Sequence, residues 1–270
     1  NLTRALELLK VIRELPGSTV FHCEINPELV NEDFIKALKG LEDRLQFEVG
    51  IQSTNTETLR EISRTPDVNR SLKGIELLKT TGINLHVDLI AGLPHESFER
   101  FSHSFDDVYS LYPQEIQLGF LKLLKGTRLR KDADKYGIVY RSKPPYEILY
   151  NKDISFNELC ILTGIARLLD KYYNTGRFHH SLNYLCKKFQ RPFDLYMAFY
   201  NFCNKKKVFK VRHSLKARYD ILFAFAQSLD IDMELFSDIL KFDFMLTSSK
   251  TALPDCIEPI EDREFINKAK

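Results

Sequence analysis

The sequence has 270 residues, of which 44% are hydrophobic and 28% are charged, and its formal net charge is +2. Such a chain can bury a sizeable core, which excludes an intrinsically disordered protein. No apolar run approaches the ~18 residues that a membrane span needs, so we expect a cytoplasmic protein without a membrane span. The charge is unevenly distributed, because residues 1–140 hold 18 basic and 21 acidic residues whereas residues 141–270 hold 21 and 16.

Short apolar runs alternate with helical patterns through the first half of the chain. The predicted strands span residues 20–26, 45–53, 83–90 and 115–123. Strands that alternate with helices at this spacing indicate βα units and a parallel sheet. Within each strand apolar residues alternate with polar ones, so one face can pack against helices while the other carries polar groups.

The polar face has to be accounted for, because a buried carboxylate without partners costs several kcal/mol. A structural network of polar groups is one possibility. The other is a curved sheet around a polar cavity, with a site at the carboxyl ends of the strands, where Glu24, Gln52 and Asp88 are predicted to lie.

After residue 130 the strand pattern fades and helical patterns continue to about residue 244. We therefore predict an α/β region over residues 1–140 and an α-helical domain over residues 141–270. The five cysteines have no metal-ligand spacing and are interpreted as reduced thiols. His179 and His180 are adjacent, so they do not share a face of a helix or strand, and we interpret them as solvated or locally hydrogen-bonded rather than as metal ligands.

Three segments resemble a known family. FEVGIQSTNTETLREISR, NLHVDLIAGLPHESFERF and EIQLGFLKLLKGTRLR resemble the later strands of radical S-adenosylmethionine (SAM) enzymes, in particular oxygen-independent coproporphyrinogen III oxidase-like enzymes. The likeness is greatest to radical SAM proteins with an N-terminal cobalamin-binding domain and a helical C-terminal domain of unknown function. The resemblance implies a partial radical-SAM-type (β/α) barrel of about four parallel strands, followed by that helical domain.

The resemblance also gives roles to individual residues. Glu24 would bind the ribose of SAM, Gln52 and Asp88 would contact the sugar or the methionine moiety, and Arg64 would bind the methionine carboxylate. These residue types suit a zwitterionic nucleoside, since a guanidinium can bind a carboxylate through two hydrogen bonds. A favourable interaction with a helix dipole is the alternative interpretation of Arg64.

Two further sets of residues complete the predicted site. The turn that holds Gly92 and Pro94 can bring the backbone close to the adenine, because glycine permits a close approach and proline stiffens the turn. Gln117 and Lys122, on the fourth predicted strand, are predicted to contact a small-molecule substrate.

The sequence also departs from the family pattern. The motif C-x-x-x-C-x-x-C, which binds the 4Fe-4S cluster in these enzymes, is absent, as is the Gly-rich segment after the second strand. Only four of the six expected strands are predicted. We therefore expect a fragment whose cluster ligands and cobalamin domain lie outside this chain. The parent oxidoreductase would cleave SAM to a 5′-deoxyadenosyl radical, with cobalamin as a potential second cofactor, whereas this chain alone would be inert.

A non-enzymatic module is the alternative prediction for function. Residues 177–218 hold eleven basic residues and one acidic residue, with aromatic residues between them. This pattern is typical of a solvated helix face, and it is also found in proteins that bind RNA or an acidic partner. In addition, a truncated sheet would leave the first strand at an open edge, which predicts self-association.

Overall fold

The computed structural model describes residues 2–247 and 253–257. The chain forms two compact units, of which the first ends at Ala166 and the second begins at Arg167. The predicted boundary at residue 140 between the radical SAM region and the helical domain stays a prediction, because a boundary drawn from contacts does not show where each functional domain ends. In the described ranges no helix is both long and apolar enough to cross a membrane.

The first unit contains one parallel sheet whose four strands follow each other in chain order. They are β1 (Phe21–Ile25), β2 (Leu45–Gln52), β3 (Asn84–Ala91) and β4 (Glu115–Phe120). The predicted α/β class and the partial barrel of four parallel strands are therefore confirmed. β1 and β4 are the edge strands in the described part of the sheet, and self-association through the β1 edge stays a prediction.

Helices connect the strands and cover one face of the sheet. Those of the first unit are α1 (Leu2–Glu14), α2 (Glu32–Leu38), α3 (Thr56–Glu61), α4 (Val68–Lys79), α5 (Phe98–Ser110), α6 (Arg128–Lys131) and α7 (Ala133–Tyr136); α8 (Phe156–Leu168) crosses into the second unit. Polar side chains begin several of them: Asp67 accepts from the amide of Arg70 at α4, and Ser97 accepts from that of Arg100 at α5.

The apolar face of the sheet forms the core of the first unit. Phe47 and Val49 of β2 and Val87 of β3 are almost completely buried. The ring centroid of Phe47 lies 6.2 Å from that of Phe34 in α2. In α4, Gly74 lies against the backbone of Pro27 so closely that a Cβ would collide with the Pro27 carbonyl oxygen, which accounts for a glycine inside this helix.

The fourth strand is shorter than the predicted 115–123. β4 ends at Phe120, although the Leu121 amide still donates to the Ala91 carbonyl of β3 at 3.0 Å, and residues 121–123 then pair with residues 146–148. The Leu121 carbonyl accepts from the amide of Ile148 at 2.9 Å. This pairing connects the sheet to a small antiparallel hairpin of β5 (Val139–Tyr140) and β6 (Ile148–Tyr150).

The second unit is helical in its described part, as predicted. It contains a π-helical turn at Leu169–Tyr173, then α9 (His179–Cys186), α10 (Pro192–Lys205), α11 (Leu215–Ala226) and α12 (Met233–Thr247). Its core is aromatic: ring centroids are 4.4 Å apart for Phe178 and Tyr219, and 4.6 Å apart for Phe199 and Phe225.

Candidate functional site

The polar face of the sheet brings ionisable side chains from all four strands into two neighbouring rows. In the first row Glu24 lies beside Glu48, Glu48 beside His86, and His86 beside Glu115. In the second row, one residue pair closer to the carboxyl ends, Gly50 lies beside Asp88 and Asp88 beside Gln117. Residues in register on neighbouring strands share a face, so these side chains lie together.

A bulge at the end of β2 folds Gln52 back over this face. The pairing with β3 shifts between Gly50 and Gln52, and Gln52 has a φ of 66°, in the left-handed region that non-glycine residues rarely adopt. The Gln52 amide nitrogen consequently fills the space that a Cβ on Gly50 would need, and Nη2 of Arg64 lies 3.8 Å from the same point. Glycine at position 50 therefore allows both groups to lie over the polar face.

The carboxyl groups of Asp88 and Glu48 lie next to each other on this face. Burial, a hydrogen bond to Glu48 and repulsion from Glu48 and Glu24 raise the pKa of the Asp88 carboxyl to about 7. The hydrogen bonds with Asp88 and with His22 lower the pKa of Glu48, whose Oε2 lies 2.8 Å from the His22 Nε2. These opposite shifts favour the proton on Asp88 over Glu48. His86 Nε2 lies 3.5 Å from Asp88 Oδ1.

Replacing Asp88 by asparagine should reduce the pH dependence of stability. The pKa of this carboxyl is raised from about 3.9 in the unfolded chain to about 7, so between these values the folded state binds more protons. The contribution of the Asp88 carboxyl to the free energy of unfolding is fully present below about pH 4 and is lost as the pH rises through about 7. We expect the loss of stability between about pH 5 and 8 to shrink by about 1–2 kcal/mol, since water screens part of the shift.

Urea unfolding of the wild type and of Asp88→Asn at both pH values measures this difference. Asp33→Asn is the matched control, because the Asp33 side chain is 76% exposed. If Asp88→Asn kept the full pH dependence of the wild type, the protonated state of Asp88 would be wrongly assigned.

The structure places the other predicted site residues in three positions. Glu24 and Gln117 are exposed on the polar face, on the two edge strands. Gly92 and Pro94 lie buried in the turn after β3, where the Gly92 carbonyl accepts from Asn151 at 3.0 Å and the Pro94 carbonyl accepts from the Thr58 hydroxyl at 2.9 Å. Lys122 lies beyond β4 in an antiparallel bridge with Glu147.

A buried polar network next to the site was not predicted. Glu96 is completely buried, and its Oε1 accepts hydrogen bonds from Ser53 at 2.6 Å and from Ser104 at 2.8 Å. Burial raises the pKa of the Glu96 carboxyl. The network connects the end of β2 to α5 and so holds the bulge that positions Gln52. The sequence gives little indication that Glu96 is buried, because a glutamate between a turn and the start of a helix is usually a surface residue.

The residues of this chain do not fit a 4Fe-4S cluster. Its five cysteines are free thiols, and they are widely separated in sequence at positions 23, 160, 186, 203 and 256. Across residues 2–247 and 253–257, no group of three His, Cys, Asp or Glu side chains is placed to hold a metal ion. The polar face, by contrast, offers carboxylates, an amide and a guanidinium, which fit the hydroxyl and carboxylate groups of SAM.

Two family models match separate parts of the chain. Residues 1–108 match the model of the radical SAM superfamily, and residues 134–270 match the model of the family described as "Protein of unknown function (DUF4080)". The chain is 30% identical over 122 residues to the uncharacterized protein YtqA of Bacillus subtilis (strain 168), covering 44% of this chain and 38% of YtqA.

Two further relatives are linked to coproporphyrinogen III oxidases. The oxygen-independent coproporphyrinogen-III oxidase-like protein HemZ of B. subtilis (strain 168) is 27% identical over 145 residues, which cover 53% of this chain and 28% of HemZ. The solved structure of the radical SAM enzyme coproporphyrinogen III oxidase (HemN) from Escherichia coli has a TM-score of 0.40 and 22% identity, covering 46% of this chain and 29% of HemN.

The chain spans about a quarter to two fifths of the length of the curated relatives it matches. The chain belongs to the DUF4080 family and is a radical SAM protein related to the coproporphyrinogen III oxidases.

Proposed function

We propose that the polar face of the sheet binds SAM and that the chain is part of a radical SAM oxidoreductase. One observation carries the proposal. The Gln52 amide and the Arg64 guanidinium both lie over Gly50, on the face that also holds Asp88. A cation for the carboxylate of SAM and carboxyl groups for its hydroxyls therefore meet at the carboxyl ends of adjacent strands, where parallel (β/α) sheets hold their ligands.

Each of these residues has a distinct task in the proposed complex. Arg64 binds the methionine carboxylate through two hydrogen bonds and fixes that end of the ligand. Glu24 accepts hydrogen bonds from the ribose hydroxyls, while Gln52 can both donate and accept. Asp88, with its raised pKa, can donate a hydrogen bond when protonated and accept when ionised. The turn with Gly92 and Pro94 supports the adenine end.

In radical SAM enzymes, bound SAM supplies a 5′-deoxyadenosyl radical that abstracts hydrogen from the substrate. The contribution of this chain is to bind and orient the cofactor. Within residues 2–247 and 253–257, no side chains are placed to hold the cluster. A small-molecule substrate near Gln117 and Lys122, and cobalamin as a second cofactor, stay predictions.

Equilibrium dialysis of this chain against labelled SAM tests the proposal. We expect saturable binding that Gln52→Ala weakens by roughly 1 kcal/mol, the range of a net hydrogen bond. Gln46→Ala is the matched control, since Gln46 lies on the same face of β2 but in register with Asn84, away from the carboxyl end. Binding that is lost equally in both variants, or that is absent in the wild type, would contradict the proposal.

A further inference from the structure

The helical unit carries a second feature that the SAM site does not use. Residues 204–214, with the sequence NKKKVFKVRHS, connect α10 to α11 and are called the basic loop below. The basic loop contains five basic residues and no acidic residue, and all five basic side chains are exposed: Lys205, Lys206, Lys207, Lys210 and Arg212. Within the described ranges, none of the five forms an ion pair with a carboxylate.

The basic loop has a defined shape. Lys207 has a φ of 58°, which reverses the chain after α10, and a short helical turn at Val208–Lys210 follows. The imidazole of His213 closes the loop with a hydrogen bond of 2.8 Å between Nε2 and the Val208 carbonyl. Five like charges are thereby held within one short segment, at separations where they repel each other unless an anion is present.

The helix dipole accounts for only part of this charge. Lys205 and Lys206 lie at the carboxyl end of α10, where a cation is favourable. Lys210 and Arg212 lie beyond the end of α10, so the dipole of that helix does not account for their charge. The loop therefore has the electrostatic character of a surface for a polyanion.

Aromatic rings lie next to these cations. The rings of Tyr200 and Phe209 are stacked, with centroids 5.7 Å apart and planes inclined by 29°, and both residues are partly exposed. Val211 is 64% exposed. An acidic protein would need the cations alone, whereas an unpaired base would also use a partly exposed aromatic surface.

We propose that the basic loop binds a single-stranded nucleic acid, with its cations on the phosphates and a base on the Tyr200–Phe209 ring pair. The phosphates account for the excess of cations, and a flat base accounts for the aromatic rings beside them. Both RNA and DNA have this chemistry. Every residue of this surface lies in the second unit, whereas the residues of the proposed SAM site lie in the first.

Fluorescence anisotropy on the whole chain tests the proposal, with labelled oligo(U) RNA and oligo(dT) of about 20 nucleotides at a series of salt concentrations. We expect the logarithm of the affinity to fall linearly with the logarithm of salt concentration. The triple variant K205Q/K206Q/K207Q should reduce that slope by about 2, because each lost phosphate contact removes about 0.7. The RNA and DNA arms show which sugar is preferred.

Two controls distinguish a nucleic acid ligand from a general effect of charge and from an acidic protein. The triple variant K36Q/K39Q/K73Q removes the same charge from exposed positions of the first unit and should leave the slope unchanged. Phe209→Leu should weaken oligonucleotide binding at least about fivefold, without changing binding of polyglutamate, and Phe209→Trp should restore it. Thermal unfolding confirms that each variant is folded.

Three results would overturn the proposal. The first is no binding at the lowest salt concentration, which would leave a solvated surface. The second is an equal effect of both triple variants. The third is polyglutamate binding as tight as that of the oligonucleotides, with no effect of Phe209→Leu on oligonucleotide binding, which would assign the basic loop to an acidic protein.

Discussion

Replacing Phe47 by alanine is expected to lower the free energy of unfolding by about 3–5 kcal/mol, the range for a large buried aromatic side chain. Phe47 is only 3% exposed, and its ring packs near Phe34 of α2. The neighbouring strands and helices cannot fully close the cavity, because Val49 and Leu85 are held in place by the backbone ladder of the sheet. For a unit of this size, such a loss is a large fraction of the total stability.

The matched control is Gln46→Ala, one residue earlier on the same strand. Gln46 points to the polar face and is partly exposed, so we expect a change within about 0.5 kcal/mol. Urea unfolding of both variants at one pH measures the difference. A similar cost for the two substitutions would mean that β2 does not present one apolar and one polar face, and the site built on that alternation would then be wrong.

This alternation is the part of the fold that the sequence predicts best. In β2 and β3 every second residue is apolar, and the structure buries Phe47, Val49, Val87 and Leu89 on one side. A strand has a period of two, so the sequence alone determines which residues share a face. The same periodicity places Glu24, Glu48 and Asp88 on the opposite side, and the register then brings them together.

The bulge at Gln52 could not be predicted in this way. Simple alternation places Gln52 on the same face as Gly50, but it does not predict a φ of 66° or an amide that lies over Gly50. That conformation depends on long-range contacts, above all the hydrogen bonds of the Ser53 hydroxyl with Glu96 and Ser104. Contacts between residues some 40 to 50 positions apart leave no periodic signal in the sequence.

The end of the fourth strand was mispredicted for a similar reason. Residues 121–123 continue the apolar pattern, and Leu121 and Leu123 are buried as that pattern indicates. The Leu121 amide still donates to the Ala91 carbonyl of β3, but the remaining pairing of residues 121–123 is with residues 146–148. Periodicity reports burial, and it does not identify the partner of a strand. Lys122 consequently lies outside the parallel sheet, while Gln117 lies within it.

The sequence also does not show which ionisable residues of the polar face are neighbours. Three carboxylates and two histidines occur on β1, β2 and β3 as ordinary strand residues: Glu24, Glu48, Asp88, His22 and His86. Only the register shows that Glu48 lies between Glu24 and His86. Burial and the neighbouring Glu48 raise the pKa of the Asp88 carboxyl to about 7, so its protonation changes near neutral pH.

Replacing Arg64 by alanine should weaken SAM binding by about 1.5–3 kcal/mol, roughly 10- to 150-fold, as for a lost hydrogen bond to a charged group. The fold should be nearly unchanged, because the Arg64 side chain is exposed and surface charges contribute little to stability. In the proposed complex the Arg64 guanidinium binds the methionine carboxylate. The carboxylates of the polar face cannot take over this role, because they carry the same charge as the methionine carboxylate.

Arg60→Ala is the control for this prediction. Arg60 is an exposed arginine in the last turn of α3, four residues before Arg64, and it has the same charge. A general electrostatic effect of the arginine would therefore appear in both variants, whereas a specific contact would appear only in Arg64→Ala. The measurements are SAM affinity by dialysis and the denaturant midpoint of each variant. Arg64 is the cation placed over Gly50, and the proposed orientation of SAM depends on its contact with the methionine carboxylate. Full SAM affinity in Arg64→Ala would therefore contradict both the position of that carboxylate and the orientation of the cofactor.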